Sequence, residues 1–256
     1  MLTNIFDTHA HYDDEAFLDD VHELLSGLPD KGVTGVVTCG TNLISSARSL
    51  ELAKKYDFVY AALGYHPENI GDERKGDLEL IAELLSNEKK AVAVGEIGLD
   101  YYYDDGAPRE EQIDLFERQL ELSKDLDLPV IIHDRDAHGD TLEILKRYRP
   151  KGVVHCFSGS FEMAREVVKL GMFVGMGGVV TFKNARKAVE VVSDIPLDRL
   201  VLETDCPYLA PVPFRGKRND SSLIAYVASV IGEIRAVEPQ KLLDITCENA
   251  HFLYNL

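Results

Sequence analysis

The sequence predicts a (β/α)8 barrel, and three observations carry that prediction. Short apolar runs alternate with amphipathic stretches eight times along the chain, the pattern of βαβ crossovers feeding a parallel sheet. Runs such as AVAV, PVII and GVV are nearly continuous in small and β-branched residues, as strands buried on both faces are. Six potential metal ligands, His9, His11, Glu96, His133, His155 and Asp205, stand one by one at the ends of such runs. In a parallel barrel the carboxyl ends of the strands share one rim, where active sites are built.

The elements follow in order. Asn4 to Thr8 forms the first strand, and the amphipathic stretch Ala16 to Gly27 the first helix. The run VTGVVTC places the second strand at Val33 to Cys39, followed by a helix from Leu43 to Tyr56. Phe58 to Gly64 is the third strand and Asp77 to Asn87 its helix; Ala91 to Glu96 is the fourth, with the long helix Glu110 to Asp127. Val130 to His133 precedes a helix from Thr141 to Tyr148, and Gly152 to His155 precedes one from Phe161 to Gly171. Met172 to Gly175 and the helix Ala185 to Val192 make the seventh unit; Leu200 to Thr204 opens the eighth, closed by Ser222 to Val237. A last helix, Pro239 to Tyr254, is extra to the eight units. Each helix shows apolar residues at three- and four-residue spacing, and each strand is a short apolar run. Eight units favour a closed barrel over an open doubly wound sheet.

Composition sets outer bounds. A chain of 256 residues with 45% hydrophobic content fills one barrel, so a single domain spanning 1–256 is expected. Cys39, Cys156, Cys206 and Cys247 are far apart and make no CxxC pair, which points to reduced thiols in a cytoplasm rather than a disulfide framework or thiolate zinc site. No basic segment leads into an apolar one at the amino terminus, and the uncharged run Leu170 to Phe182 is short and glycine-rich. A net charge of −17 argues against a generic polyanion binder, because nonspecific nucleic-acid affinity comes mostly from Lys and Arg. A phosphate substrate must then be gripped locally, with bound divalent ions supplying much of the positive potential.

The candidate site residues carry specific chemistry. His9 and His11 are two apart on a strand, so both imidazoles face one side and can chelate one ion; Asp7 just upstream can orient one of them through a hydrogen bond or simply cap a turn. Glu96 ends AVAVGE, where a carboxylate is costly to bury without a cation; its two oxygens can bridge two ions, the competing partner being an Arg on a neighbouring strand. His133 in PVIIHD and His155 in GVVHCF occupy matching places on consecutive strands, which favours ligation over an ordinary hydrogen-bonded core role. Asp205 in LVLETD can hold an ion and accept a proton from attacking water. His66 in LGYHPEN is a substrate-facing or structural residue. Arg135 lies two positions after His133, and Arg215, Lys217 and Arg218 follow the eighth strand in PFRGKRND. Guanidinium groups grip phosphate oxygens in bidentate fashion, although a solvated basic loop has the same composition. Ser158 and Gly159 offer further hydrogen bonds. Tyr101 to Tyr103 can stack on bases at a groove or pack on their own barrel.

The strings DTHAH, GYHP, GEIGLDYYYD, IIHDRDA, HCFSG, ETDCPYLAP and PFRGKRN occur in that order across nearly the whole chain. Together they resemble the TatD family of metal-dependent deoxyribonucleases, within the amidohydrolase-like TIM barrels. The resemblance implies the ligand set His9, His11, Glu96, His133, His155 and Asp205, the same residues chosen above, and divalent-cation-dependent hydrolysis of DNA phosphodiesters with 3′ to 5′ exonuclease activity. One departure stands out: the family's basic loop often continues RGKRNEP, whereas this chain has Asp220 and Ser221 after Asn219. The change leaves the cations in place and puts the conformation of the loop in question.

The expected mechanism uses two divalent ions, Mg, Mn or Zn, bridged by Glu96. His9, His11 and Asp205 complete one and His133 and His155 the other. Asp205 and Glu96 are the catalytic carboxylates, with His66, Arg135, Arg215 and Lys217 binding the substrate, a single-stranded DNA end. A hydrolase of another ester or an amide, such as an aminoacyl-tRNA ester, would use the same centre with other pocket groups. A non-catalytic protein holding metal for stability would need a closed coordination sphere, which Asp205 among the ligands argues against.

Overall fold

The computed structural model describes all 256 residues and contains eight strands in one all-parallel sheet, in sequential order around a barrel. The strands are β1 (Ile5–Ala10), β2 (Val33–Cys39), β3 (Val59–Leu63), β4 (Ala91–Asp100), β5 (Val130–Arg135), β6 (Gly152–Val154), β7 (Phe173–Met176) and β8 (Leu200–Leu202). The helices are α1 (Val21–Gly27), α2 (Leu43–Lys55), α3 (Asp77–Asn87), α4 (Arg109–Leu126), α5 (His138–Tyr148), α6 (Phe161–Lys169), α7 (Arg186–Asp194), α8 (Ile224–Arg235) and α9 (Pro239–Tyr254). The ring closes between β8 and β1 just beyond the end of β8. There Ala10 bridges Cys206, the Asp205 amide donates to the His9 carbonyl at 3.0 Å, and the His11 amide donates to the Cys206 carbonyl at 2.8 Å.

The strands are almost wholly buried on both faces, so two layers of core form. One lies between barrel and helices. The other fills the lumen with Phe6, Val37, Ala62, Ala93, Ile131, Val153, Phe173 and Val201, one residue from each strand, as a packed barrel requires. The helix extra to the eight units, α9, closes the amino-terminal mouth: Leu253 and Tyr254 join the lumen cluster, and the Tyr254 hydroxyl donates to the Thr8 carbonyl at 2.8 Å. Only the carboxyl rim is left open.

Three boundaries differ from the sequence reading in ways that matter. β4 runs on past Glu96 to Asp100, because GLD stays buried and pairs with β5 through Asp100 and Arg135. Glu96 and His133 therefore lie inside strands rather than at their ends. The first helix begins at Val21 rather than Ala16: Asp14 caps a separate short turn over Glu15–Phe17, accepting from the Ala16 amide at 2.7 Å, and buries Phe17 there. β8 stops at Leu202, and its continuation to Asp205 turns inward, with Asp205 in the left-handed region at φ +58°. No helix is long and apolar enough to cross a membrane.

Candidate metal centre

The cavity at the carboxyl rim has a volume of about 660 Å³ and is lined by charged and polar residues from most of the strands. Glu96 is its centre. Only 3% of its side chain is exposed, and its two oxygens face different groups. Oε2 lies 3.3 Å from Nε2 of both His9 and His11. Oε1 lies 2.7 Å from His155 Nε2, 2.8 Å from His133 Nδ1 and 3.5 Å from His66 Nε2. Asp205 approaches from the β8 side, its Oδ1 3.5 Å from Nε2 of both His9 and His11. All six of the residues expected to ligate metal thus meet at one point, with His66 at its edge.

Backbone geometry explains the convergence. His9 and His11 are two apart, so their rings project from one side of the chain, with Nε2 atoms 3.0 Å apart. His155 follows β6 and stacks flat on His9, ring centroids 3.8 Å apart. Like groups packed this closely around one buried carboxylate cost free energy unless something neutralises them. Burial pushes Glu96 up, but the surrounding imidazoles, His155 and His9 foremost, outweigh it and hold its carboxyl well below the usual range. Burial pulls His9 down to about 4, helped by His155. Burial works the same way on His11, yet hydrogen bonds to Asp205 and Glu96 raise it well above the ordinary imidazole value.

Hydrogen bonds at the far ring nitrogens sort the imidazoles by role. His11 Nδ1 lies 3.0 Å from the Cys39 carbonyl, which can only accept, so Nδ1 carries a proton and Nε2, which faces Glu96 and Asp205, is the nitrogen that would ligate a metal on giving up its own proton. His66 is the reverse: its Nδ1 accepts from the Glu68 amide at 3.1 Å, which puts the proton of the neutral ring on Nε2, pointing into the cavity. His11 is set up to ligate and His66 to donate a hydrogen bond. Three groups of donors, His9–His11–Glu96, His9–His155–Asp205 and His66–Glu96–His133, each lie within 4.8 Å of one another, close enough for one cation. Nitrogen and carboxylate donors in this number fit divalent transition ions well.

The sequence reading missed two carboxylates. Asp100 holds His133 from behind, its Oδ2 3.0 Å from Nε2, and so fixes which nitrogen faces Glu96. Its signal was available, since positions 96, 98 and 100 share one face of an extended strand. Glu203 is fully buried behind His155; its Oε1 accepts from the Cys156 amide and lies 3.9 Å from His155 Nδ1. Burial, with the charge of Asp205, raises its carboxyl well above its ordinary value. We expect Asp100→Ala to leave the fold intact and to raise the metal concentration needed for half-maximal activity by about 10- to 100-fold, the usual cost of freeing a ligand imidazole. A metal titration of wild type and variant checks it; equal midpoints would remove Asp100 from this role.

The remaining candidates divide. Arg135 lines the cavity, its guanidinium stacked 3.7 Å over Tyr102 and with Nη1 3.4 Å from the Tyr103 hydroxyl. Tyr101 is committed to its own barrel: its hydroxyl donates to Asp140 at 2.8 Å under the Arg109 guanidinium. Arg215 and Lys217 do not line the cavity; Arg215 lies 4.0 Å over Phe182 and Lys217 near Phe214, outside the rim. Arg218 is bound to Asp20 and the Ala16 carbonyl. Ser158 lines the cavity, whereas Gly159 packs under Phe157 and Met163 with no room for a side chain. Asp7 touches no imidazole. Its buried carboxylate accepts from the Thr204 amide and hydroxyl, the Ser221 hydroxyl and the His9 amide, tying β1 to the turn after β8. Ser221 also donates its amide to the Tyr12 hydroxyl at 3.0 Å, and Asp220 caps the turn Ser221–Leu223. The departure at these two positions therefore anchors the basic loop to the metal-bearing strand.

The comparisons with known proteins agree in one direction. A model of the family described as TatD related DNase matches residues 6–255. The chain is 44% identical over 255 residues to the uncharacterized metal-dependent hydrolase YabD of Bacillus subtilis, covering 98% of this chain and 99% of that protein. It is 38% identical to the uncharacterized metal-dependent hydrolase YjjV of Escherichia coli, covering 100% of each. The crystal structure of YjjV, a TatD homologue, superposes with a TM-score of 0.94 at 37% identity over 100% of both chains. A TatD family hydrolase from Entamoeba histolytica has the same fold, with a TM-score of 0.88 at 24% identity over 99% of each chain.

Proposed function

The chain belongs to the family of TatD related DNases, and from that premise we propose that it is a metal-dependent hydrolase of DNA phosphodiesters, removing nucleotides from single-stranded 3′ ends in the cytoplasm. The observation that carries the reading is the division of partners at Glu96, with His9 and His11 at one oxygen and His133 and His155 at the other. That arrangement fits two cations sharing the carboxylate: His9, His11 and Asp205 would hold one, His133 and His155 the other. Bound divalent ions would supply a polarising charge at the phosphoryl group and lower the pKa of water.

The chain's own groups do the rest. Asp205 is the most open of the six, with 18% of its side chain exposed, and faces the solvent side of the cavity, where it accepts a proton from water. Arg135 is held rigid by Tyr102 and Tyr103 and presents its guanidinium to a phosphate oxygen, a planar fork matched to that geometry. His66 donates its Nε2 proton to a second oxygen. Tyr103, half exposed beside Arg135, offers a face for an unpaired base. The four free thiols suit a reducing compartment.

The test uses protein stripped of metal and end-labelled single-stranded DNA, with Mg, Mn and Zn returned separately. We expect no cleavage without metal, restoration by at least one ion, and a ladder receding from the 3′ end. Arg135→Ala should raise KM by roughly 10-fold, the scale of one charge-assisted phosphate contact. Full activity in chelator, or none with any ion while a small amide or ester is hydrolysed, overturns the reading.

A further inference from the structure

For a chain with a net charge of −17, two stretches are unusual: no acidic residue occurs between Glu166 and Glu190, or between Asp205 and Asp220. These stretches contain the connections after β7 and β8, which are neighbours on the open rim. Lys183, Arg186 and Lys187 come from the first, and Arg215 and Lys217 from the second; all five are exposed. Elsewhere on the surface cations find carboxylates, as in Lys54–Glu88, Arg118–Glu73, Lys146–Glu166 and Lys151–Asp127. In the basic loop Arg218 alone is paired, with Asp20.

No carboxylate pairs with any of these five charges, although Arg215 and Lys217 lie over the rings of Phe182 and Phe214. Arg186 and Lys187 occupy the first turn of α7, which carries no acidic residue, so two cations sit at the positive end of a helix dipole. Yet the two connections are locked together. The Val212 amide donates to the Thr181 hydroxyl at 2.8 Å, and Arg215 stacks on Phe182. Gly178 lies so close to Leu209 that a Cβ would meet its carbonyl oxygen at 2.1 Å. Leu209 and Tyr208 are cavity wall, so the cationic surface begins where the cavity ends. A cavity of about 660 Å³ accommodates only a short piece of a polynucleotide; the rest of the strand must leave across the rim.

We propose that Lys183, Arg186, Lys187, Arg215 and Lys217 form a track that binds the phosphodiester backbone of the strand flanking the nucleotide in the cavity. The track supplies the polyanion affinity that the chain as a whole lacks, and it directs the strand over the β7–β8 side of the rim. This rests on the phosphodiester reading above and names where the remainder of that substrate lies.

The experiment compares wild type with the triple variant Lys183→Gln, Arg186→Gln, Lys187→Gln, leaving cavity and basic loop untouched. Equilibrium binding of a fluorescent single-stranded oligonucleotide long enough to cross both loops is followed by anisotropy on metal-free protein as salt is varied. Cleavage of that oligonucleotide and of a dinucleotide is followed on metal-loaded protein. Each phosphate neutralised on a single strand contributes a slope of about −0.7 in log K against log salt, so the variant's slope should be shallower by about 2. Its kcat/KM for the oligonucleotide should fall at least about 10-fold at low salt, while that for the dinucleotide is unchanged. The charge-preserving variant Lys183→Arg, Arg186→Lys, Lys187→Arg should restore both. An unchanged slope, or equal losses on dinucleotide and oligonucleotide, overturns the track and spares the hydrolytic reading. Charge-dependent binding without cleavage of any DNA keeps the track and overturns that reading instead.

Discussion

Glu96→Ala is expected to abolish both metal binding and turnover while leaving the barrel folded. The carboxylate is buried at the meeting point of five imidazoles and is their shared counter-charge. Without it His9, His11, His133 and His155 still face one another, but the one carboxylate in contact with all four is gone, and cations drawn to one half are no longer shared with the other through it. Loss of a preorganised electrostatic contact in a catalytic site costs about 10² to 10³ in kcat. Removing the group that assembles the whole centre should cost at least the upper figure. Metal content measured by atomic spectroscopy after dialysis, alongside kcat and far-UV circular dichroism, checks each part. Glu96→Gln keeps the shape and one acceptor oxygen but not the charge, and is expected to bind metal weakly with activity only slightly above the alanine variant. Stoichiometric metal and wild-type turnover in Glu96→Ala would falsify the bridging role.

The barrel and the position of its centre were legible because both follow from local patterns. Eight apolar runs with amphipathic stretches between them admit few topologies, and His or acidic residues at or directly after the ends of five of the runs mark the rim. The hidden parts depend on where side chains end in space. Asp100 reads as the start of a tyrosine-rich loop until β4 is seen to run four residues past Glu96 and carry it behind His133. Glu203 reads as part of the last strand, and only the inward turn at Asp205 places it against His155. Arg215 and Lys217 follow the hydrogen bond from the Val212 amide to Thr181 in the β7 connection, and lie outside the cavity that their sequence position suggested. The same displacement sets Arg215 on Phe182, the residue before Lys183 and distant from Arg215 in sequence. Tyr101 and Tyr103 differ by one hydrogen-bonded acid, Asp140, which holds the first to the barrel wall and leaves the second at the cavity.

Asp205→Asn is expected to separate proton transfer from metal retention. The substitution keeps the size of the side chain and the backbone bonds that hold its strained conformation, namely the amide bond to the His9 carbonyl and the bond from Tyr208 to its own carbonyl. Asparagine is also among the residues that tolerate a positive φ. What disappears is the negative charge beside His9 and His11 and the ability to take a proton from water. A lost general base costs about 10² to 10⁴ in kcat, whereas the ligands His9, His11, His133, His155 and Glu96 remain to hold cations. The variant should therefore retain most of its metal and bind the oligonucleotide with near-normal KM, with kcat lower by at least about 100-fold. A titration with added metal distinguishes the alternatives. If Asp205 served only as a ligand, saturating ion would restore kcat, because occupancy alone would be limiting. If it draws off the proton, kcat stays low at every metal concentration and the loss is least where hydroxide is most abundant, toward high pH. Recovery of wild-type kcat at saturating metal at neutral pH would assign the proton to another group on this rim.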